Sequence, residues 1–167
     1  MREAGTKRRC LVIGASGQLG RALVSVFSED YDVMKAVRRH PDTRQVCLDL
    51  SRLSEIAGLL ERLAPDLILI AGAYANVDRC EEEPRRCSEV NVRGPQEIAR
   101  FAREKGSLVV YYSTDHVFPE GEASYRETDP VGPLNVYAKS KVKGENAVRE
   151  SLPEGHLILR TSWVYGP

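Results

Sequence analysis

The sequence predicts an α/β protein built on a doubly wound parallel sheet with helices on both faces. Three observations carry that prediction. Short apolar runs alternate with helix-length amphipathic segments from Arg9 to the end of the 167 residues, the pattern of repeated strand–helix–strand units. The run Leu67-Ile68-Leu69-Ile70 is continuously apolar, as a strand covered on both faces should be. A glycine-spaced turn, Gly14 to Gly20, joins the first apolar run to the first helical pattern.

Each element has its own signal. A first strand is expected over 9–13, followed by a helix over 18–27 in which Leu19, Leu23, Val26 and Phe27 recur at helical spacing. Strands at 32–37 and about 46–48 come next, then a helix over 53–63 and the apolar strand 67–70. A long helical region covers 84–104. It should be strained or kinked at Gly94-Pro95, because proline lacks an N–H and clashes with the preceding turn. The fifth strand is expected over 108–112 and the last helix over 136–150, capped by Asn135, free of proline and holding one glycine. A sixth strand over 156–160 completes a sheet ordered 3-2-1-4-5-6.

Composition sets bounds. The length suits one domain with a sizeable core. Apolar content of 42% and charged content of 29% are those of a soluble globular protein. Lys+Arg and Asp+Glu both total 24, so no overall field recruits nucleic acid or an anionic membrane. The basic start, 1–9, lacks the apolar core of a signal peptide, and no apolar run approaches the roughly 18 residues of a spanning helix. Cys10 and Cys47 fall in expected strands, where a thiol acts as a small buried hydrophobe. Cys80 and Cys87 lack metal-site spacing and histidine partners, so no metal is expected. The four read as reduced thiols of a cytoplasmic protein. His40 and His156 read as loop residues. There is no internal repeat, low-complexity segment or linker.

Three motifs carry chemistry. Tyr137 and Lys141 are four residues apart, so a helix stacks them on one face. A phenol titrates near 10, and an ammonium one turn away favours the phenolate, bringing the group toward working pH. By itself the pair is common on helix surfaces; its weight comes from two companions. Gly14-Ala15-Ser16-Gly17-Gln18-Leu19-Gly20 lies between a strand and a helix, the setting in which glycines admit a pyrophosphate to a helix N-terminus. Ser113-Thr114-Asp115 directly follows the apolar run 108–112, and ligands of open α/β sheets bind beyond the carboxyl ends of strands. A hydroxyl there can hydrogen-bond a carbonyl oxygen beside the tyrosine.

Further residues point to the cofactor. The second strand ends Ala36-Val37-Arg38-Arg39, with no acid for ribose hydroxyls and two guanidiniums suited to a 2′-phosphate, which favours NADP(H) over NAD(H). Asp49-Leu50 stands where adenine contacts are made; the same aspartate can cap the helical segment starting at Ser51, and both can hold. Ala71-Gly72-Ala73, followed by Tyr74, is small enough for close approach to the cofactor.

Taken together, these residues resemble the extended short-chain dehydrogenase/reductases, which are Rossmann-like. Within them the chain is most similar to the dTDP-4-dehydrorhamnose reductase branch. GASGQLG (14–20), VDRCEEEP (77–84), STDHVF (113–118), YRETDPVGPLNVYAKSK (125–141) and LRTSWVYGP (159–167) carry the likeness. The resemblance implies a catalytic triad of Thr114, Tyr137 and Lys141, with NADPH reducing the C4 carbonyl of a nucleotide sugar. Val77, Asp115, His116 and Trp163 match positions near the sugar. It also allows a homodimer. Two departures stand out: His116 replaces a usual tyrosine, and Ala75 a usual threonine. Family members continue beyond Pro167 into a substrate-binding lobe, so residues 1–167 are expected to form the NAD(P)-binding domain, with weak or no turnover alone. Two other readings share these motifs. One is a regulatory module like the methionine adenosyltransferase β subunit. The other is a nucleotide-sugar epimerase or dehydratase, although dehydratases usually carry an acidic pair where Asp115-His116 stands.

Overall fold

The computed structural model describes residues 7–39, 41–121 and 124–166; residues 1–6 of the basic start, His40 and Pro167 lie outside that range. Six strands form one parallel sheet: β1 (Arg9–Ile13), β2 (Asp32–Val37), β3 (Gln45–Cys47), β4 (Leu67–Ile70), β5 (Leu108–Thr114) and β6 (His156–Thr161). Their order is β3-β2-β1-β4-β5-β6, as the alternation of elements predicts. The helices are α1 (Gln18–Phe27), α2 (Leu53–Leu63), α3 (Val77–Glu82), α4 (Pro84–Ser88), α5 (Gly94–Lys105) and α6 (Val136–Ser151).

Strand alternation divides the core in two. Leu11, Ile13, Ile68 and Ile70 face Ile56, Leu60, Ile98, Ala102 and Val148 of α2, α5 and α6. Cys10, Val12, Leu67 and Leu69 face the other way, where Leu23, Val24 and Phe27 of α1 pack on them. Burying each large aliphatic side chain contributes about 1.5–3 kcal/mol. Pairing in register puts Leu157 and Leu159 on the α1 side of β6, but α1 packs against β1 and β2. The two leucines are left 52% and 36% exposed.

The register also brings the carboxyl ends of β1, β2 and β4 together. Gly14 and Ala15 donate their N–H groups to the Ala36 carbonyl at 3.0 and 3.1 Å, and Ala71 donates to Ile13 at 3.0 Å. A Cβ on Gly14 would lie 2.7 Å from Gly72 backbone atoms, and its φ is +86°, so only glycine fits this crossing.

Several local expectations are corrected. The helical stretch expected over 84–104 is continuous but irregular: α4 ends at Ser88 and a π turn, Glu89–Arg93, leads directly into Gly94-Pro95 with helical backbone throughout. Within the π turn, the buried Asn91 side chain turns inward. Its Oδ1 accepts from Tyr74 N at 2.8 Å, and its Nδ2 donates to Tyr74 O at 3.0 Å and Ser140 Oγ at 2.9 Å. The irregularity expected at Gly94-Pro95 takes the form of this π turn, which directly precedes the proline that cannot donate to the helix. Helix α3 escaped the sequence reading although Asn76 caps it, accepting from Arg79 N at 2.9 Å. Cys47 is exposed rather than buried, because β3 is a three-residue edge strand. His156 opens β6 rather than sitting in a loop, and β5 extends through Ser113 and Thr114. Among the described residues no helix is long and apolar enough to cross a membrane.

Helix α6 lies close on the π turn through Gly144. A Cβ there would collide with the Asn91 carbonyl and the Tyr111 hydroxyl. Gly144→Ala is therefore expected to destabilise the fold by about 2–3 kcal/mol despite the better helix propensity of alanine. Urea denaturation checks this, and an unchanged or higher midpoint would show that α6 can shift away from the turn.

Candidate active site

A cleft of about 280 Å³ opens at the carboxyl ends of β1, β2 and β4, lined by Gly14, Ser16, Gly17, Arg38, Leu48, Asp49, Leu50, Ala71, Gly72, Ala73 and Val90 among others. Its floor is backbone. Gly17 caps α1 with no side-chain hydrogen bond, and the first turn of that helix holds no acid, so its free N–H groups present partial positive charge outward. A side chain on Gly20 would strike the Gly14 carbonyl, so the turn must stay narrow.

Asp49 stands in this wall. Its Oδ1 accepts from Ser51 N at 3.0 Å and from Ser51 Oγ at 2.8 Å, forming the turn that leads into α2. Burial pushes its carboxyl upward, but those hydrogen bonds and the charges of Arg38 and Arg86 outweigh it, leaving the pKa below the usual carboxylate range.

Across the sheet, α6 presents Tyr137 and Lys141 beside the end of β5. Asn135 starts the helix, its Oδ1 accepting from Ala138 N at 2.8 Å, while Val136 N donates to Glu81 Oε1 of α3 at 2.7 Å. The Thr114 hydroxyl, at the end of β5, donates to Asp115 Oδ1 and accepts from His116 N, both at 3.3 Å, and lies near enough to Tyr137 to favour its phenolate. The His116 ring stands edge-on to Tyr137, with centroids 6.3 Å apart.

The pair does not behave as the sequence suggests. Burial raises the Tyr137 pKa above that of a free phenol, outweighing the lowering influence of Thr114, and Cys80, Asp115 and Cys87 push it further up. Lys141 is not among the groups that set it. The lysine side chain is 2% exposed; its Nζ donates to the Tyr112 carbonyl at 2.7 Å and lies 3.9 Å from the centroid of the Tyr111 ring. Desolvation lowers the ammonium to about 7, against partial support from Glu145 and Cys87. Tyr137 is thus held protonated, and Lys141 is a buried amine poised to titrate near neutrality.

The remaining expected residues are placed unevenly. Gln18 lies outside the cleft lining, and its Nε2 donates to Gly166 O at 3.0 Å, so the tail after β6 crosses the start of α1. Leu19 is half-buried on α1 and Arg39 is exposed; neither lines the cleft. Tyr74 is buried, donating its hydroxyl to Glu83 Oε1 at 2.9 Å. Ser113 is buried at the end of β5. Val77 opens α3, Asp115 and His116 are exposed, and Trp163 is 77% exposed on the tail; the cleft does not gather them. Asn91, Glu145 and Arg160 were missed. A polar Asn91 between two valines was a readable signal, whereas the ionic pairing of Glu145 needs the fold. Among the described residues, no cluster of ligands for a metal ion is found.

A family model described as the RmlD substrate binding domain matches residues 8–167. The dTDP-4-dehydrorhamnose reductase of Salmonella typhimurium is 39% identical over 156 residues, covering 93% of this chain and 51% of its own length. The methionine adenosyltransferase 2 subunit beta of Xenopus laevis is 34% identical over 160 residues, 95% of this chain and 48% of its own. Among solved structures, the dTDP-4-dehydrorhamnose reductase of Bacillus anthracis, in complex with NADP, superposes with a TM-score of 0.86 at 31% identity. It is covered to 56% of its length by 98% of this chain. The chain spans about half the length of the curated relatives it matches.

The buried amine has a measurable signature. A lysine titrating at about 7 rather than its ordinary value disfavours the charged folded state by about 5 kcal/mol as an upper bound. Below pH 7 the amine is charged both folded and unfolded, so the full cost is present. The cost shrinks as pH rises from 7 toward 10.5, where the unfolded amine also loses its proton. Lys141→Met should therefore exceed the parent in stability by about 1–3 kcal/mol at pH 6 and by clearly less at pH 9.5. Denaturant curves at the two pH values check this; an offset that does not change with pH would mean the amine is not depressed.

Proposed function

The chain belongs to the RmlD substrate-binding-domain family, and on that premise we propose that it forms the cofactor-binding domain of an NADPH-dependent nucleotide-sugar reductase. The proposed reaction reduces the 4-keto group of dTDP-4-dehydrorhamnose to give dTDP-rhamnose. The observation that carries this reading is the placement of Thr114 at the end of β5 and Tyr137 in the first turn of α6, linked through His116, whose N–H donates to Thr114 and whose ring stands edge-on to Tyr137. They sit on the same carboxyl-end rim of the sheet as the glycine-floored cleft.

The residues present fit the cofactor. A Cβ at Gly14 would fill the cradle, the α1 N-terminus is uncapped by side chains, and Arg38 stands on the cleft wall beside Asp49. A pyrophosphate would rest over Gly14, Ser16 and Gly17, with Gln18 and Leu19 starting the helix behind it. Arg38, with Arg39 next to it, would take the 2′-phosphate; Asp49 and Leu50 would border the adenine; Ala71, Gly72, Ala73 and Tyr74 would allow close passage toward Ser113. When bound, NADPH supplies the hydride.

The chain's own groups do the rest. Tyr137 keeps its proton because burial disfavours the phenolate, so it can protonate the oxygen of the reduced carbonyl. Thr114 hydrogen-bonds the same oxygen and fixes its distance from the phenol. Lys141, one turn along α6, offers an ammonium to the ribose hydroxyls of the cofactor, and its charge favours proton release from Tyr137 once such a partner is present. Val77, Asp115, His116 and Trp163 are assigned to the sugar, with His116 bringing a titratable ring to the edge of Tyr137. The likeness to a methionine adenosyltransferase subunit supports a second reading, a non-catalytic nucleotide-binding subunit using the same cleft.

Binding and turnover separate these readings. The chain is expected to bind NADPH at least tenfold more tightly than NADH, and Arg38→Ala to remove most of that preference, a loss of about 1–2 kcal/mol measured by calorimetry. In a chain with reductase activity, Tyr137→Phe should lower kcat by about 10²–10⁴-fold with little effect on NADPH affinity. NADPH binding without turnover in a full-length form would favour the subunit reading, and no binding of either nucleotide would sink both.

A further inference from the structure

At the end of β5 a hydroxyl and an imidazole share one carboxylate oxygen. Thr114 precedes a single 3-10 turn, Asp115–Val117, and is buried at 8% exposure. Its Oγ1 accepts from His116 N and donates to Asp115 Oδ1, each at 3.3 Å. An ionised carboxylate only accepts, so the proton in the second bond is the threonine's. A hydroxyl has one proton to give, and here it is committed to Asp115 instead of facing a bound carbonyl oxygen. The His116 N–H holds the threonine oxygen in place, which leaves the direction of that proton as the part that can change.

The second claimant on Asp115 Oδ1 is the His116 ring, whose Nε2 lies 4.0 Å from it. That separation is too long for a hydrogen bond, and it becomes an ion pair once the ring is charged. Imidazole is the side chain whose charge ordinarily changes between pH 5 and 8. The His116 and Asp115 side chains are 44% and 48% exposed, so solvent protons reach the ring and either side chain can turn at little cost in packing. Among the described residues, the titratable groups in contact with the ring are Asp115 from its own turn and Tyr137 from α6; Cys80 of α3 and Cys87 of α4 bear on Tyr137 in turn.

We propose that His116 is a positioning residue that frees the Thr114 hydroxyl when it is protonated: the imidazolium draws Asp115 Oδ1 to itself, and the Thr114 proton turns to the oxygen of a bound carbonyl. The use of that proton rests on the assignment of Thr114 to the substrate oxygen made above; the exchange of partners at Asp115 does not. Competition for one oxygen is reciprocal, so what Thr114 gives up His116 gains.

The test follows the His116 ring by NMR between pH 5 and 9 in the whole chain carrying 13Cε1-histidine, with His116→Gln assigning the signal. Asp115→Asn removes the attracting charge and should lower the His116 midpoint by about half a pH unit, the modest size expected of an exposed pair. Thr114→Val removes the competing hydroxyl with shape and charge kept, and should raise the midpoint by about 0.3 of a unit, roughly a twofold gain in proton affinity. Thr114→Ser restores the hydroxyl and should restore the midpoint. A Thr114→Val midpoint that stays or falls overturns the proposal, as does an Asp115→Asn midpoint that fails to fall. In a chain with reductase activity, kcat should rise as the pH falls through the His116 midpoint, and His116→Gln should lose that step. A profile without the step overturns the positioning role even where the midpoints move. The titrations need neither cofactor nor turnover, so a chain that binds no NADPH would sink the functional reading and leave the exchange at Asp115 standing.

Discussion

One buried amide holds the two halves of the rim in register. Asn91 spends its side chain on both backbone groups of Tyr74 and on Ser140 of α6, and its own carbonyl accepts from the Tyr111 hydroxyl of β5 at 3.0 Å. Every polar atom of that side chain is satisfied at 1% exposure, so the network gains from the low local dielectric instead of suffering from it. The same residue sits in the middle of the π turn, Glu89–Arg93. Ser140 lies one residue before Lys141, and Tyr74 one residue after the wall of the cleft. The amide thus ties the end of β4, beside the cleft, to α6 and β5.

The two sides work by different electrostatics. Around Gly14 and Gly17 the available charge is that of backbone dipoles and an exposed arginine, which need no ionisable group to be buried and cost little to maintain. Around Lys141 the fold carries a desolvated amine, a fully buried carboxylate and a half-buried phenol. Such groups are expensive to bury, so the first side costs the fold little and the second costs it stability.

Much of this was legible in the residues. Alternating apolar runs gave the element order and the strand order, because parallel strands buried on both faces leave an unambiguous signature in Leu67-Ile68-Leu69-Ile70. Gly14 could be placed because a close backbone crossing admits no other residue. Arg38 could be placed from its position after β2, but the similar Arg39 could not, since direction along a strand end depends on the local twist. Of the two roles open to Asp49, the structure shows the turn with Ser51 that leads into α2. What stayed hidden depends on long-range contacts: the π turn at Asn91, the exposure of Cys47 on an edge strand, and the pairing of Glu145 with Arg160 fifteen residues away.

The largest divergence concerns Tyr137. Spacing alone suggests that Lys141 acidifies it, yet burial raises the phenol and the lysine turns toward Tyr111 and the Tyr112 carbonyl. Helical spacing fixes where Cβ atoms lie; it does not fix where a four-carbon chain ends. Burial is the first cause of both shifts: it holds the Tyr137 proton in place and depresses the Lys141 ammonium even though that ammonium donates to the Tyr112 carbonyl. The two departures from expectation therefore have one cause, the desolvation of the space between α6 and the end of β5.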